Sequence, residues 1–116
     1  MRPKLKPWHL TDKPDVIGGY NFYCPGCLSA HTFYCNKDYH SLVWEFNGNT
    51  EKPSFTPSLL LYTPETEDPV TKEKIPRKTI CHLVMTDGII NFCSDCVHTM
   101  KGQSVPLMNW PEYYQV

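Results

Sequence analysis

The stretch TICHLVMTDGIINFCSDC, residues 79–96, gives the clearest structural signal in the chain. Two runs rich in apolar and β-branched residues flank Asp87-Gly88, a dipeptide that favours a type I′ hairpin turn. Directly opposed residues of a hairpin share a face of the sheet. Counting outward from the turn therefore predicts one apolar face, made of Cys81, Leu83, Met85, Ile90 and Phe92. We predict a β-hairpin that runs from Thr79 to Ser94.

The same count predicts where the cysteines of this hairpin lie. Cys81 and Cys96 come together on the apolar face at the open end of the hairpin, whereas His82 and Cys93 oppose each other on the other face. A break in the strand at Ser94-Asp95 would instead allow Cys93 and Cys96 to form a second knuckle. The residues alone leave both arrangements open.

An earlier stretch, CPGC at residues 24–27, is typical of a zinc knuckle. A Cys-x-x-Cys turn places two thiolates about 3.7 Å apart, close to the edge of a zinc–sulfur tetrahedron. Pro25 and Gly26 suit such a tight turn. A thioredoxin-like redox motif would need a helix that starts at Cys24, but the following LSAHTFYC predicts a strand. These residues therefore favour zinc binding.

The composition is that of a globular protein of 116 residues, with 41% hydrophobic residues and a formal net charge of −1. A nearly neutral chain lacks the positive field that non-specific binding to nucleic acid or to an anionic membrane requires. No apolar run approaches the roughly 20 residues of a membrane span, and the N-terminal sequence does not resemble a signal peptide. We therefore expect a location in the cytoplasm of the cell that makes the protein, with cysteines present as thiols or metal ligands.

Eleven prolines and six glycines interrupt the chain and disfavour long helices. We predict a mostly β, single-domain fold over residues 1–116 with little helix, in which a zinc knuckle and a β-hairpin form a zinc-ribbon-like site. Further strands are predicted at 16–23 with a bulge at Gly18-Gly19, and at 32–35, 41–46, 58–63 and 104–108. The other predicted segments are a basic lead-in at 1–15, a solvated loop at 64–78, a helical turn at 97–101 and an aromatic tail at 109–116.

Five segments in a fixed order resemble a family of small proteins encoded in bacteriophage and prophage genomes, many of which carry an ammonia monooxygenase label. The segments are FYCPGCLSAHTF, WEFNG, KPSFTPSLL, CHLVMTDGIINF and DCVHTMKGQSV. The resemblance implies cysteine or histidine at seven positions of this chain: Cys24, Cys27, His31, Cys81, His82, Cys96 and His98. It also implies an aliphatic residue where this chain has Cys93.

Together with the hairpin count, the resemblance favours one set of metal ligands. We predict that Zn²⁺ is bound by Cys24, Cys27, Cys81 and Cys96, with His82, His98 and Cys93 as alternate ligands. Four protein ligands close the coordination shell, and a closed zinc site stabilises the fold without activating water. A lone histidine such as His31 is most simply a structural residue.

The sequence carries no phosphate-binding loop, nucleophile elbow or HExxH motif. We therefore predict a phage-encoded, non-catalytic zinc protein that binds a host or phage protein, such as a component of a host defence system. A second hypothesis is a small metal-dependent hydrolase or nuclease with His82 or His98 as acid and base, since Asp95, His82 and His98 lie near the predicted metal. A third is a zinc ribbon that binds nucleic acid.

Overall fold

The computed structural model describes residues 2–114, which form ten β-strands and no helix. In chain order the strands are β1 (Leu5–His9), β2 (Ile17–Cys24), β3 (Ser29–Tyr34), β4 (Glu45–Phe46), β5 (Phe55–Tyr62), β6 (Thr66–Glu67), β7 (Lys74–Ile75), β8 (Thr79–Thr86), β9 (Ile89–Phe92) and β10 (Ser104–Pro106). They make three antiparallel sheets, which confirms the predicted β class. Within these residues no helix is long and apolar enough to cross a membrane.

The predicted hairpin is confirmed and forms the centre of the largest sheet. Strands β8 and β9 pair in the predicted register, with Thr86 opposite Ile89 and Leu83 opposite Phe92. Asp87 and Gly88 both have positive φ, at 50° and 76°, as a type I′ turn requires. The five-stranded sheet has the order β10-β9-β8-β5-β4, so β8 is hydrogen-bonded on both edges.

A three-stranded sheet, β1-β2-β3, packs against the inner face of the five-stranded sheet. Its strand β2 begins one residue after the predicted start, and its register shifts opposite Trp8 and His9, next to the predicted glycine bulge. The segment 1–15 is not simply a solvated lead-in. Its residues 5–9 form β1, and the side chains of Leu5 and Leu10 are buried.

Two local predictions were wrong. Of the strand predicted at 41–46 only Glu45–Phe46 is paired in a sheet; Trp44 and Phe46 pack against the core, whereas Leu42 is 69% exposed. The helical turn predicted at 97–101 consists of turns without helix. The segment 64–78, predicted as a solvated loop, is exposed at every residue except the partly buried Asp68, and it contains the short two-stranded ribbon β6-β7.

The core lies between the two larger sheets. Phe33 of β3 and Phe55 of β5 stack across it with ring centroids 4.1 Å apart. The tail packs on the body of the protein, since Trp110 is buried and its ring contacts that of Tyr23. Residues 115 and 116 of the predicted tail lie outside the described residues.

We expect Gly88→Ala to destabilise the protein more than Gly48→Ala. Both glycines have positive φ, so each alanine costs about 1 kcal/mol of backbone strain. A Cβ on Gly88 would also lie 3.1 Å from the Cα of Lys52, whereas a Cβ on Gly48 would meet nothing within 4 Å. Urea denaturation of both variants measures the difference in unfolding free energy. Equal losses would show that the turn is not pressed against residues 51–52.

Candidate functional site

Strand β8 presents two different sets of reactive side chains on its two faces. Cys81 is fully buried on the inner face, and the next residue, His82, lies on the outer face with 28% of its side chain exposed. Successive residues of a strand point to opposite sides of the sheet, so adjacent positions in the sequence reach separate environments. The two faces are described in turn.

The inner face holds three thiols and one imidazole, which we call the buried cluster: Cys24, Cys27, Cys81 and His31. One potential ligand atom from each of these side chains lies within 4.8 Å of the other three. Cys24 ends β2, Cys27 lies in the CPGC turn and His31 is on β3, so the knuckle and its returning strand supply three of the four groups. Strand β8 supplies the fourth. All six cysteines lie within the described residues 2–114, and no disulfide joins them there.

The thiols of the buried cluster perturb one another strongly. Hydrogen bonding from Cys81 lowers the pKa of Cys24 to about 4, against the opposing effect of burial. Burial, together with the charge on Cys24, raises the pKa of Cys27 to about 11. The pKa of Cys81 is also raised, chiefly because its proton is held in the hydrogen bond to Cys24. One thiolate is therefore stabilised by neighbouring thiols that stay protonated.

The donor set of the buried cluster can hold a metal ion. The Nε2 atom of His31 is buried and has no hydrogen-bond partner, which normally carries a free-energy cost. A metal bound by this nitrogen and the nearby thiolates would remove that cost. Sulfur and imidazole nitrogen in a group of four match the ligands of structural zinc sites.

Cys96 and His98, two other predicted ligands, lie beside the buried cluster. Each has a ligand atom within 4.8 Å of the Cys81 thiol, and His98 Nε2 is 3.4 Å from Cys81 Sγ. The Cys96 thiol also contacts the backbone of His82: it accepts a hydrogen bond from the amide at 3.2 Å and donates one to the carbonyl at 3.1 Å. The hairpin count therefore correctly predicted that Cys81 and Cys96 lie close together. Metal binding by Cys24, Cys27, Cys81 and Cys96 as a set stays a prediction.

The outer face of the same sheet carries a Ser–His–Asp array. His82 Nε2 lies 3.2 Å from the Oγ of Ser58, and His82 Nδ1 lies 3.2 Å from each carboxylate oxygen of Asp95. An ionised Asp95 carboxylate can only accept hydrogen bonds, so it holds the ring proton of His82 on Nδ1. Nε2 then carries no proton and can accept the one from the Ser58 hydroxyl. The order of contacts is that of a nucleophile, a base and the group that orients the base.

The sheet fixes each member of this array. Ser58 lies on β5, next to β8, and its carbonyl accepts a hydrogen bond from Trp44 Nε1 at 3.1 Å. Asp95 lies in the turn that follows β9, where the amide of Cys93 donates to the His82 carbonyl at 2.8 Å. Cys93 therefore sits beside His82, as the hairpin count predicted, and His82, Cys93 and Asp95 form a further group of potential ligands.

Serine hydrolases are defined by this geometry rather than by any order of residues in the sequence. The family model described as bacterial ubiquitination-like system serine protease (BubE) matches residues 3–93. This is most of the chain, and the protein belongs to the BubE family. No curated protein and no solved structure matches it.

The family match supports only part of what the resemblance in the sequence implies. It does not extend to a phage origin or to an ammonia monooxygenase label, and both stay predictions. It includes Ser58 and His82 and ends two residues before Asp95. The sequence predicted Asp95, His82 and His98 as a potential acid–base cluster but gave no sign of Ser58, because an isolated serine between Pro57 and three leucines carries no motif.

We expect Gly26→Ala to disturb the contact between the CPGC turn and His98. A Cβ on Gly26 would lie 2.4 Å from Cε1 of the His98 ring, so either the ring or the turn must move. Overpacking of this kind typically costs about 1–3 kcal/mol. Chemical denaturation measures the loss, and Leu28→Ala is the control because that side chain is 67% exposed in the same turn. Equal stability of the two variants would contradict the packing described here.

Proposed function

We propose that this protein is a serine protease that cleaves a peptide or isopeptide bond in a protein of a bacterial ubiquitination-like system. The observation that carries the proposal is the contact of His82 with Ser58 on one side and Asp95 on the other. The description of the BubE family supports both the reaction class and the kind of protein partner.

In this mechanism Ser58 Oγ attacks the carbonyl carbon of the substrate while His82 Nε2 accepts the hydroxyl proton. The C–N bond then breaks, and His82 returns the proton to the leaving amine. Water repeats the sequence on the resulting acyl-enzyme ester, which releases the acid product and restores Ser58. Asp95 holds the ring in the tautomer that this requires and stabilises the imidazolium that forms.

The surroundings of the array support a protein substrate over a small molecule. No pocket is present in the part of the chain that the structure describes, and the array lies on an open sheet face. Small-molecule sites are normally concave and bury most of the ligand. Apolar side chains are exposed nearby on β8, with Ile80 at 36% and Val84 at 37%, on the face that carries His82. An extended polypeptide can lie across such a surface.

The ion that we propose for the buried cluster is Zn²⁺, bound by Cys24, Cys27 and Cys81 with His31 as the fourth ligand. Cys96, the fourth ligand of the predicted set, is the alternative. We favour His31 because its buried Nε2 has no other partner, whereas the Cys96 thiol donates its proton to a backbone carbonyl. When bound, an ion with four protein ligands crosslinks the fold and leaves no position for a reacting water.

The hypotheses drawn from the sequence differ from this proposal in whether the protein is an enzyme and in which group activates the reaction. A non-catalytic module would need no ordered serine beside His82, and a metal-dependent hydrolase would need an open metal position. The array on the outer face gives His82 the role of base without a metal. These two hypotheses, and the nucleic-acid-binding ribbon, stay predictions that the following experiments separate.

We expect Ser58→Ala to abolish reaction with a fluorophosphonate probe and to abolish cleavage of a ubiquitin-like substrate from the same system. The probe phosphonylates only a serine whose hydroxyl is activated by a base. Intact-protein mass spectrometry after labelling measures the adduct, and peptide mapping locates it. Ser104→Ala, on β10 of the same sheet, is the matched control and should label like the wild type.

A second variant separates orientation from simple loss of structure. Asp95→Asn should lower kcat by about 10³–10⁴-fold with little change in KM, because the amide favours the wrong tautomer of His82. Circular dichroism should be unchanged. Full labelling of Ser58→Ala, or wild-type kcat in Asp95→Asn, would refute the serine mechanism.

We expect removal of the metal to unfold the protein. Structural zinc contributes roughly 10–16 kcal/mol in small domains, as much as the whole net stability of a typical domain, about 5–15 kcal/mol. Mass spectrometry of the metal content and thermal melting with and without a chelator measure this. Cys24→Ala should lose the ion, and Cys35→Ala, a thiol outside the cluster, should keep it. Absence of stoichiometric metal in fresh protein would contradict the proposal.

X-ray absorption distinguishes the two candidate ligand sets. We expect three sulfurs and one nitrogen in the wild-type protein, loss of the nitrogen in His31→Gln, and an unchanged shell in Cys96→Ser. Four sulfurs in the wild type would instead favour the predicted set with Cys96.

A further inference from the structure

His82, Cys93 and Asp95 lie together on the outer face of the sheet, apart from the buried cluster. One potential ligand atom from each lies within 4.8 Å of the other two. We propose that these three side chains form a second metal site, which takes a thiophilic divalent cation such as Zn²⁺ and inhibits the enzyme. The inhibitory role, but not the binding, rests on the proposed serine mechanism.

The geometry of the three groups is close to that of a zinc site. His82 Nδ1 is 3.2 Å from both carboxylate oxygens of Asp95. Nitrogen and oxygen ligands with bonds of about 2.0–2.1 Å at a tetrahedral angle lie about 3.3 Å apart, so an ion can bridge these atoms with little movement. The amide of Cys93 donates a hydrogen bond to the His82 carbonyl at 2.8 Å, and the Cys93 thiol lies within 4.8 Å of a ring nitrogen of His82.

The site is accessible from solvent, unlike the buried cluster. The side chain of Asp95 is 50% exposed and that of His82 is 28% exposed, while Cys93 is half-buried. Three protein ligands leave a fourth position that water can fill. Such a site exchanges its ion with solution, whereas an ion held by Cys24 and Cys81 would be enclosed, because both side chains are fully buried.

The charges of the ligands also suit a divalent cation. Binding a cation displaces the thiol proton to solvent, as metal binding to cysteine generally does. The resulting thiolate and the Asp95 carboxylate neutralise the two charges of the ion.

Occupation of the site would block the base. An ion on His82 Nδ1 leaves the single remaining ring proton on Nε2, the atom that faces Ser58 at 3.2 Å. A nitrogen that already carries a proton cannot accept one from the serine hydroxyl. The ion would also take from His82 the carboxylate that orients it. Binding and catalysis therefore exclude each other at His82.

The test is a titration of the purified protein, with its first metal in place, by added Zn²⁺ and by Co²⁺. Calorimetry measures the number of equivalents bound, and thiolate-to-cobalt charge-transfer absorption reports cysteine ligation. Wild type, Ser58→Ala and Cys35→Ala should each bind one further equivalent with this absorption. Cys93→Ala should bind at least tenfold more weakly and should lack it. Cys35 is the matched control because it is also a half-buried free thiol.

Activity supplies the second readout. Added Zn²⁺ should reduce fluorophosphonate labelling and substrate cleavage by the wild type at least tenfold, and removal of the added ion should restore both. Cys93→Ala should stay active at the same Zn²⁺ concentration. No further equivalent in the wild type, or unchanged binding in Cys93→Ala, would overturn the site.

Two remaining outcomes separate this inference from the proposed function. Cys93-dependent binding that leaves wild-type activity unaffected would overturn the inhibitory role alone. Cys93-dependent binding in a protein that shows no serine reactivity would uphold the metal site and refute the proposed serine mechanism together with the inhibition that depends on it.

Discussion

Strand β8 is the element on which both candidate sites depend. Its pairing with β5 and β9 fixes the direction of every side chain along it, so that Cys81 enters the thiol-rich interior and His82 reaches the outer surface. A shift of register by one residue would exchange the two faces. The Asp87-Gly88 turn and the apolar inner face prevent such a shift, because it would expose Leu83 and Met85 to water.

The two sites have complementary physical roles in the proposed function. A crosslink through Cys24, Cys27 and Cys81 would tie the small three-stranded sheet to the centre of the larger one, in addition to the aromatic and aliphatic packing of the shared core. The serine array needs a rigid support, because an error of 1 Å in the position of a catalytic group is costly. The Cys96 thiol adds to that support, since it is hydrogen-bonded to both the amide and the carbonyl of His82.

The β8–β9 hairpin could be predicted from the sequence, because its turn and its two strands are neighbours in the chain. A two-residue turn and strict alternation are enough to derive the register of β8 and β9, and with it the opposition of His82 and Cys93. The strand predicted at 41–46 was too long because alternation alone does not say how far a segment stays on the core: Trp44 and Phe46 pack against it, whereas Leu42 is exposed. Tertiary packing decides that question.

The candidate sites were predictable only where their members are close in the sequence. His82 and Asp95 share one hairpin and could be paired, whereas Ser58 reaches them through the β5–β8 pairing, which no turn signal specifies. His31 could not be told from an ordinary structural histidine. Only the tertiary structure shows that its Nε2 is buried beside three thiols without a partner.

The closeness of Cys96 and Cys81 to His82 has a practical consequence for how such an enzyme would be classified. Alkylating reagents that reach these thiols would displace the histidine backbone, and chelators would unfold the scaffold around it. Both treatments would abolish turnover without touching the nucleophile. Inhibitor profiling alone would then assign the protein to the cysteine or metallo class, and only the identity of the covalently modified side chain would reveal the hydroxyl chemistry.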